Sequence, residues 1–491
     1  MTIFAMTTMI ILLCLLVVVS TGSDSIVTLQ TRLGNIKGIS STFTLINITK
    51  PYTIFRNIPF AQAPIGELRF RKPVPYGSWN GTLDATQFGP SCVQSLEYIT
   101  EYLPNKQMSE DCLVLNVFVP SDESNSKKSV ILWIHGGGYL GGQGMAYDGS
   151  YLAGIGNVIV VAINYRLEAF GFFSTGDDVA PGNYGLWDQK MAIQWVHDNI
   201  DSFGGDANSI TLAGESAGGF SVALQALHPS NKGLFHRVIA QSGVSNSMTT
   251  FDNARSTAKL ISKSLNCSTD LNSETMMCIR GKSFDDIHDA FMALPTRLPG
   301  SLDIHVALTL APVVDGVFLK DSAENILMGD SSGSLDFFKS LDVIIGTCEA
   351  EGILLPFGYM MPVLNQLPFN IMEGIPSEFL CEHVVPPLVR DYVKNKTNLI
   401  PDICQKYASN GTLQDGENNG INLVGDVLFY TQAVQSLNVH ASGKQSGKHF
   451  QYSFKRLSIL KCCKLYFLGL TEPVTEQKYS FCSHLILQNT T

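Results

Sequence analysis

Gly214-Glu215-Ser216-Ala217-Gly218 sets a serine between two glycines, each two residues away. Ile210-Thr-Leu-Ala213 before it reads as a strand, and Phe220–Leu227 after it reads as a helix. A strand that runs straight into a helix forces a sharp turn, where side chains at the two flanking positions would collide. Such a turn lifts the Ser216 hydroxyl above the carboxyl end of a sheet, with a helix N-terminus behind it. That arrangement suits a nucleophile. A second match, Gly329-Asp330-Ser331-Ser332-Gly333, lacks the strand-to-helix setting and reads as a plain loop. A serine attacking a carbonyl also needs donors for the oxygen that gains charge. Ile134-His135-Gly136-Gly137-Gly138-Tyr139 follows the strand candidate Ser129–Ile134. Its glycines free the N–H groups of Gly137 and Gly138 to face a substrate oxygen, and the N–H of Ala217 supplies a third donor. Each such donor lowers a transition state by about 3 kcal/mol.

The elements that must hold these groups follow from hydrophobic patterning. Ser129–Ile134, Asn157–Ile163, Ile210–Ala213, Val238–Ala240 and Leu341–Ile345 are nearly continuous apolar runs, the pattern of strands covered on both faces. Between the second and third, Leu186–Ile200 carries Ala192, Val196 and Ile200 at helical spacing. Strands alternating with helices predict an α/β class with a central, mostly parallel sheet, helices on both faces and long insertions. The chain shows no internal repeat and no low-complexity linker.

At 491 residues the chain is long enough for a large core, and its net charge of −10 argues against a nucleic-acid surface. Met1–Gly22 has the apolar core Met9–Val19 and small residues at Ser20 and Gly22, so residues 1–22 are expected to be a signal peptide. Its first residues lack Lys and Arg, which leaves an uncleaved anchor as the alternative. No transmembrane segment is expected after it, because Leu457–Leu470 is short and broken by Lys461 and Lys464. Export would place the remaining ten of 11 cysteines in an oxidising compartment. Six sequons fit a secreted glycoprotein: Asn47, Asn80, Asn266, Asn395, Asn410 and Asn489.

Phe203–Gly218 taken whole, and Glu110-Asp-Cys-Leu-Val-Leu-Asn-Val-Phe-Val-Pro120, resemble the two signatures of the type-B carboxylesterase and cholinesterase family. Val114 stands where that family has an aromatic residue or threonine. Asn57–Phe70 and Asn183–Gln189 fit as well, and the motifs occur in the family's order over residues 26 to 456. The resemblance implies an α/β-hydrolase fold over residues 23–456, with 457–491 a divergent tail. It implies a secreted carboxylic ester hydrolase working through an acyl-enzyme, with a small-molecule or lipid ester as substrate and no metal or cofactor. It says nothing of oligomeric state.

The family's acid is a glutamate followed by glycine after a late strand, which points to Glu351-Gly352; Glu349 is a near rival. A solvated loop carboxylate is the alternative reading of Glu351. The resemblance also implies the disulfides Cys92–Cys112 and Cys267–Cys278, each contributing about 2–4 kcal/mol. Cys348, Cys381, Cys404, Cys462, Cys463 and Cys482 are left without an implied pairing, Cys381–Cys404 being a guess. Cholinesterases stack their quaternary ammonium on a tryptophan in the first disulfide loop, where this chain has Tyr102. A choline ester is therefore not expected, and carboxylesterases and bile-salt-type lipases are the nearer likeness.

The third member of a Ser–Glu–His triad should follow Glu351 in the chain. Where the family has Gly-x-x-His after the strand Phe450–Lys455, this chain has Arg456–Leu470 with no histidine. His440 at a helix end and His449 at a strand start read as structural, and His383 belongs to an inserted helical region. His484 in the tail is a weak candidate for the base, its flanks unlike the family's. The alternative to a working esterase is an inactive member or truncated isoform that acts as a binding or adhesion protein.

Overall fold

The computed structural model describes residues 24–45, 48–94, 105–121, 126–244, 254–294, 310–329, 333–353, 367–370, 373–392, 396–408, 412–442 and 447–454. All of them belong to one compact unit. Among them, eleven strands form one sheet: β1 (Ser25–Thr31), β2 (Gly34–Leu45), β3 (Ile48–Pro59), β4 (Thr82–Asp84), β5 (Val114–Pro120), β6 (Lys128–Ile134), β7 (Ile159–Ile163), β8 (Gly205–Glu215), β9 (Arg237–Gln241), β10 (Asp342–Cys348) and β11 (His449–Phe454). Their order is β1-β2-β3-β5-β7-β6-β8-β9-β10-β11, with β4 beside β2.

The sheet has two halves that differ in strand direction. From β1 to β7, omitting β4, every pairing is antiparallel. From β7 through β6, β8, β9 and β10 to β11, every pairing is parallel. Parallel neighbours need crossovers, and the helices Tyr184–Asn199 and Ala217–Ala226 supply two of them. Strand β7 is buried along its whole length, from Ile159 to Ile163, and Val130, Leu132 and Ile134 of β6 are fully buried. Each large aliphatic side chain placed there contributes about 1.5–3 kcal/mol. The apolar runs of the sequence are these central strands, covered on both faces.

Strand order reverses at β6: the chain moves to one side for β7 and returns to the other for β8. Such a reversal opens a crevice beyond the carboxyl ends of the strands, where loops from both sides meet. The glycine loop follows β6 and Ser216 follows β8. Both groups singled out by the sequence therefore leave the sheet at this crevice.

Cys92–Cys112 and Cys267–Cys278 are bonded as the resemblance implied, and Cys381 pairs with Cys404. Cys348 is free. Among the described residues no helix is long and apolar enough to cross a membrane.

Candidate active site

Ser216 sits between β8 and the helix Ala217–Ala226 with φ 55° and ψ −123°, a conformation that a residue with a side chain adopts only when its surroundings hold it. What holds it is close backbone packing. The Ser216 N–H donates to Gln241 O of β9 at 2.8 Å, and Ser216 O accepts from Phe220 N at 2.9 Å. A Cβ on Gly218 would lie 2.0 Å from Ile134 O, so the helix can approach β6 only because that position lacks a side chain. The expected helix start at Phe220 is three residues late: the helix begins at Ala217, directly after the serine. Ala217 is thus the first residue of the turn whose N–H groups have no partner inside the helix.

The glycine loop reaches this turn. A Cβ on Gly136 would lie 2.5 Å from Glu215 O and 3.1 Å from Ser216 Cβ. Gly137 and Gly138 have φ of 103° and 66°, turning their peptide planes away from strand geometry. Gly137 is exposed and Gly138 half-buried. Among the described residues none accepts from the N–H of Gly137, Gly138 or Ala217. The loop is closed by Leu140 N and Gly141 N, which both donate to Gly137 O. His135, ahead of the glycines, is buried, stacks on Tyr165 at 4.4 Å and holds Gly136 O through Nδ1 at 2.9 Å. Burial pulls its imidazole down to about 4, so it is neutral and forms part of the frame.

The acid side is built two strands further out. β9 lies between β8 and β10, in register at Gly214–Ala240 and Ile345–Ala240. Glu351 begins the turn after β10, and its Oε1 accepts from Cys348 N at 2.6 Å. The Ser242 hydroxyl, just after β9, also donates to Glu351, and Ser242 N donates to Gly346 O at 2.8 Å. Burial raises the Glu351 carboxyl above its ordinary value, and these two donors oppose the rise. Glu349, the rival, is exposed; its N–H donates to Phe454 O at 3.0 Å. Gly352 packs its backbone against Ile421 O.

Glu215 carries the strongest electrostatic perturbation among these carboxylates. It shows some surface to solvent, yet the enclosing protein, followed by the charge of Glu351, pushes its carboxyl up to about 7. Burial, followed by the charges of Cys348, Glu351 and Glu215, pushes the phenol of Tyr452 up to about 12. Glu215, Glu351, Cys348, Ser242 and Tyr452 thus form one electrostatic neighbourhood at the carboxyl end of β8–β11. The sequence pattern assigns neither Ser242 nor Glu215 a part in the site, though both belong to this neighbourhood. Ser242 had a weak signal, a small polar residue followed by glycine just after the strand candidate Val238–Ala240, and Glu215 had only its place beside Ser216.

The histidines divide by position. His440 Nε2 pairs with Leu341 O at 2.9 Å, and His449 faces Val343 across the β10–β11 ladder. Both lie at the amino end of β10, while Glu351 follows its carboxyl end about 20 Å away for a seven-residue strand. His383 packs on Phe379 at 4.8 Å in the helical region Ser377–Tyr392. Among the described residues no histidine pairs with Ser216 or Glu351. His484 lies outside the described residues, as do Tyr102, Asn47, Asn395, Asn410 and Asn489. The centre of the Gly329–Gly333 match also lies outside them; a helix, Ala323–Gly329, precedes it where a nucleophile turn would need a strand.

Residues 23–481 match the model of the carboxylesterase family. The chain belongs to the carboxylesterase family. It is 36% identical over 439 residues to carboxylesterase 1D of Rattus norvegicus, covering 85% of this chain and 74% of that protein. It is 32% identical over 398 residues to the medium-chain fatty acyl-CoA hydrolase precursor of Anas platyrhynchos, covering 79% of this chain and 67% of that protein. Acetylcholinesterase of Electrophorus electricus is 37% identical over 346 residues, covering 67% of this chain and 52% of that protein. A carboxylesterase has the α/β-hydrolase fold, and the mixed sheet with its parallel half is that fold. The chain is therefore a carboxylic ester hydrolase of the serine-esterase type by family. The family match runs past residue 456, where the motif likeness stopped, and ends before His484.

Proposed function

We propose that this chain hydrolyses carboxylic esters through an acyl-enzyme on Ser216, with Gly137, Gly138 and Ala217 donating to the oxyanion and Glu351 as the triad acid. The observation that carries the reading is the strained Ser216 turn facing a glycine loop whose donors have no partner among the described residues. The Ser216 oxygen would attack the ester carbonyl, its proton passing to a base. The carbonyl oxygen would gain charge against the three N–H groups, and the alcohol would leave carrying the base's proton. Water would then repeat the sequence on the acyl-enzyme. Glu351 would orient the base and balance its charge when protonated. Phe454, the last described residue of β11, accepts from the N–H of Glu349, two residues before Glu351. His484 is the one histidine in the sequence after that point and is proposed as the base.

The likeness to carboxylesterases and to a fatty acyl-CoA hydrolase supports a small-molecule or lipid acyl substrate, with no nucleic acid and no cofactor. The apolar start of the chain, three disulfides, and exposed sequon residues Asn80 and Asn266 support a secreted, glycosylated protein with residues 1–22 as its signal. Residues 457–491 are proposed as a divergent tail on a domain spanning 23–456.

The histidine census favours a second reading. No described histidine serves Ser216, and without a base the serine loses around a million-fold in rate. On that reading the chain is an inactive member that binds rather than hydrolyses. Hydrolysis of p-nitrophenyl butyrate by the folded, secreted chain separates the two. Activity lost in both Ser216→Ala and His484→Ala supports the first, and a folded protein no faster than Ser216→Ala supports the second.

A further inference from the structure

Two residues with side chains, Tyr139 and Glu168, have left-handed backbones, with φ 62° and 50°, and they are joined to each other. The Glu168 N–H donates to Tyr139 O at 2.8 Å. Tyr139 directly follows Gly137 and Gly138, so its peptide fixes the end of the donor loop. Its fully buried ring packs on Phe172 at 4.7 Å, and its hydroxyl accepts from Ser221 at 3.4 Å on the helix behind Ser216. Glu168 opens the short helix Glu168–Phe172 and is itself fully buried. Nothing in its own backbone favours φ 50°; a β-carbon there crowds the following carbonyl. The compensation lies in its side chain: Glu168 Oε2 pairs with His288 Nδ1 at 2.9 Å, from the helix Phe284–Met292. The base of the short helix is held separately, through Arg166, whose guanidinium grips both carboxylate oxygens of Asp188 at 2.7 Å.

We infer that Glu168 and His288 are positioning residues for the oxyanion donors: the buried pair holds Glu168 in its left-handed conformation, which aims its N–H at Tyr139 O and sets the pitch of the Gly137–Gly138 peptides. The inference rests on the reading of that loop as the oxyanion hole. It assigns the pair a role in the transition state without contact with substrate. A donor displaced by less than an ångström loses much of its effect on a developing charge while hardly altering how the neutral ester binds.

Glu168→Ala keeps the crowded β-carbon and removes the anchor. Glu168→Gln keeps a hydrogen-bonding partner for His288. Glu168→Gly removes both the anchor and the crowding that makes it necessary. Amide hydrogen exchange, followed by mass spectrometry on the full-length folded protein, reads the loop directly and does not depend on turnover. In Glu168→Ala and in His288→Ala, peptides spanning residues 136–142 should exchange about tenfold faster, while those of the helix Tyr184–Asn199 stay as in the wild type. Glu168→Gln should restore protection. In the Glu168→Gly background, His288→Ala should add nothing. Where the protein turns over p-nitrophenyl butyrate, kcat should fall about ten- to a hundredfold in Glu168→Ala with KM unchanged. Unaltered exchange at 136–142, or exchange that rises equally across the sheet, would overturn the inference and leave the pair a general stabiliser. A wild type that exchanges as described but hydrolyses nothing would sink the esterase reading and leave the positioning of the loop intact.

Discussion

Strand β8 delivers Ser216 from the interior of the parallel half-sheet, whereas β10 delivers Glu351 from one strand short of its edge. The two ends of the proposed site are held by different forces. At the serine, backbone meets backbone: Gly218 against Ile134 O, Gly136 against Glu215 O, Ser216 N on Gln241 O. At the acid, single polar atoms hold the carboxylate, namely Cys348 N and the Ser242 hydroxyl. Beside it β11 leaves Phe450 exposed and Tyr452 partly so. Steric packing leaves the serine no alternative position. Hydrogen bonds at a half-open edge leave the acid responsive to charge and pH. The serine end should therefore fail by misfolding, and the acid end by titration.

The largest effect is expected at Gly218. Its missing side chain would sit against a carbonyl of β6 that no rotamer change can move, so Gly218→Ala should cost more than about 4 kcal/mol and yield little folded, secreted protein. Chemical denaturation of whatever folds measures the cost; a wild-type midpoint would show that the serine end is not sterically locked.

A smaller effect, dependent on pH, is expected at Glu215. Its carboxyl is raised from 4.5 to about 7 in the folded protein, so between those values the folded state binds more protons than the unfolded one. Stability should therefore fall as pH rises from 4.5 to 7 and then level off. Glu215→Gln should abolish that loss, gaining about 1–3 kcal/mol over wild type at pH 8 and nothing near pH 4.5. Melting temperatures of both proteins across that range test it, and parallel curves would show that folding does not raise the Glu215 carboxyl.

The smallest effect concerns Cys348, an unpaired cysteine at the exposed end of β10 whose thiol is pushed up to about 11 by the protein packed around it, followed by the nearby Glu351 charge. At pH 8 it should hold roughly a hundredfold less thiolate than a thiol of ordinary value 9, and iodoacetamide should label it correspondingly slowly. Glu351→Gln should accelerate labelling. No acceleration would place Glu351 away from Cys348 and weaken its assignment to the site.

These contrasts explain what could be read from the sequence. The serine turn was legible because steric demands are local: a strand, two glycines and a helix suffice to define it. The glycine loop and the central strands, with their continuous apolar runs, were legible for the same reason. Glu351 was reached only through resemblance, since a glutamate in a loop carries no local mark of burial. Ser242 and Glu215 act through neighbours 109 and 136 residues away in sequence, which no short pattern encodes. Strands β1–β3, antiparallel and rich in polar residues, went unread because their buried positions are scattered among exposed ones and form no continuous apolar run. The strained Glu168 was equally silent, its conformation set by a histidine 120 residues away.

The most direct test is active-site labelling of the folded, full-length protein with a fluorophosphonate, read by intact mass and peptide mapping. One adduct per chain is expected, on Ser216, absent from Ser216→Ala and slowed by Glu351→Gln. Folded protein that forms no adduct, or forms it on another residue, would contradict the assignment of Ser216 as the nucleophile.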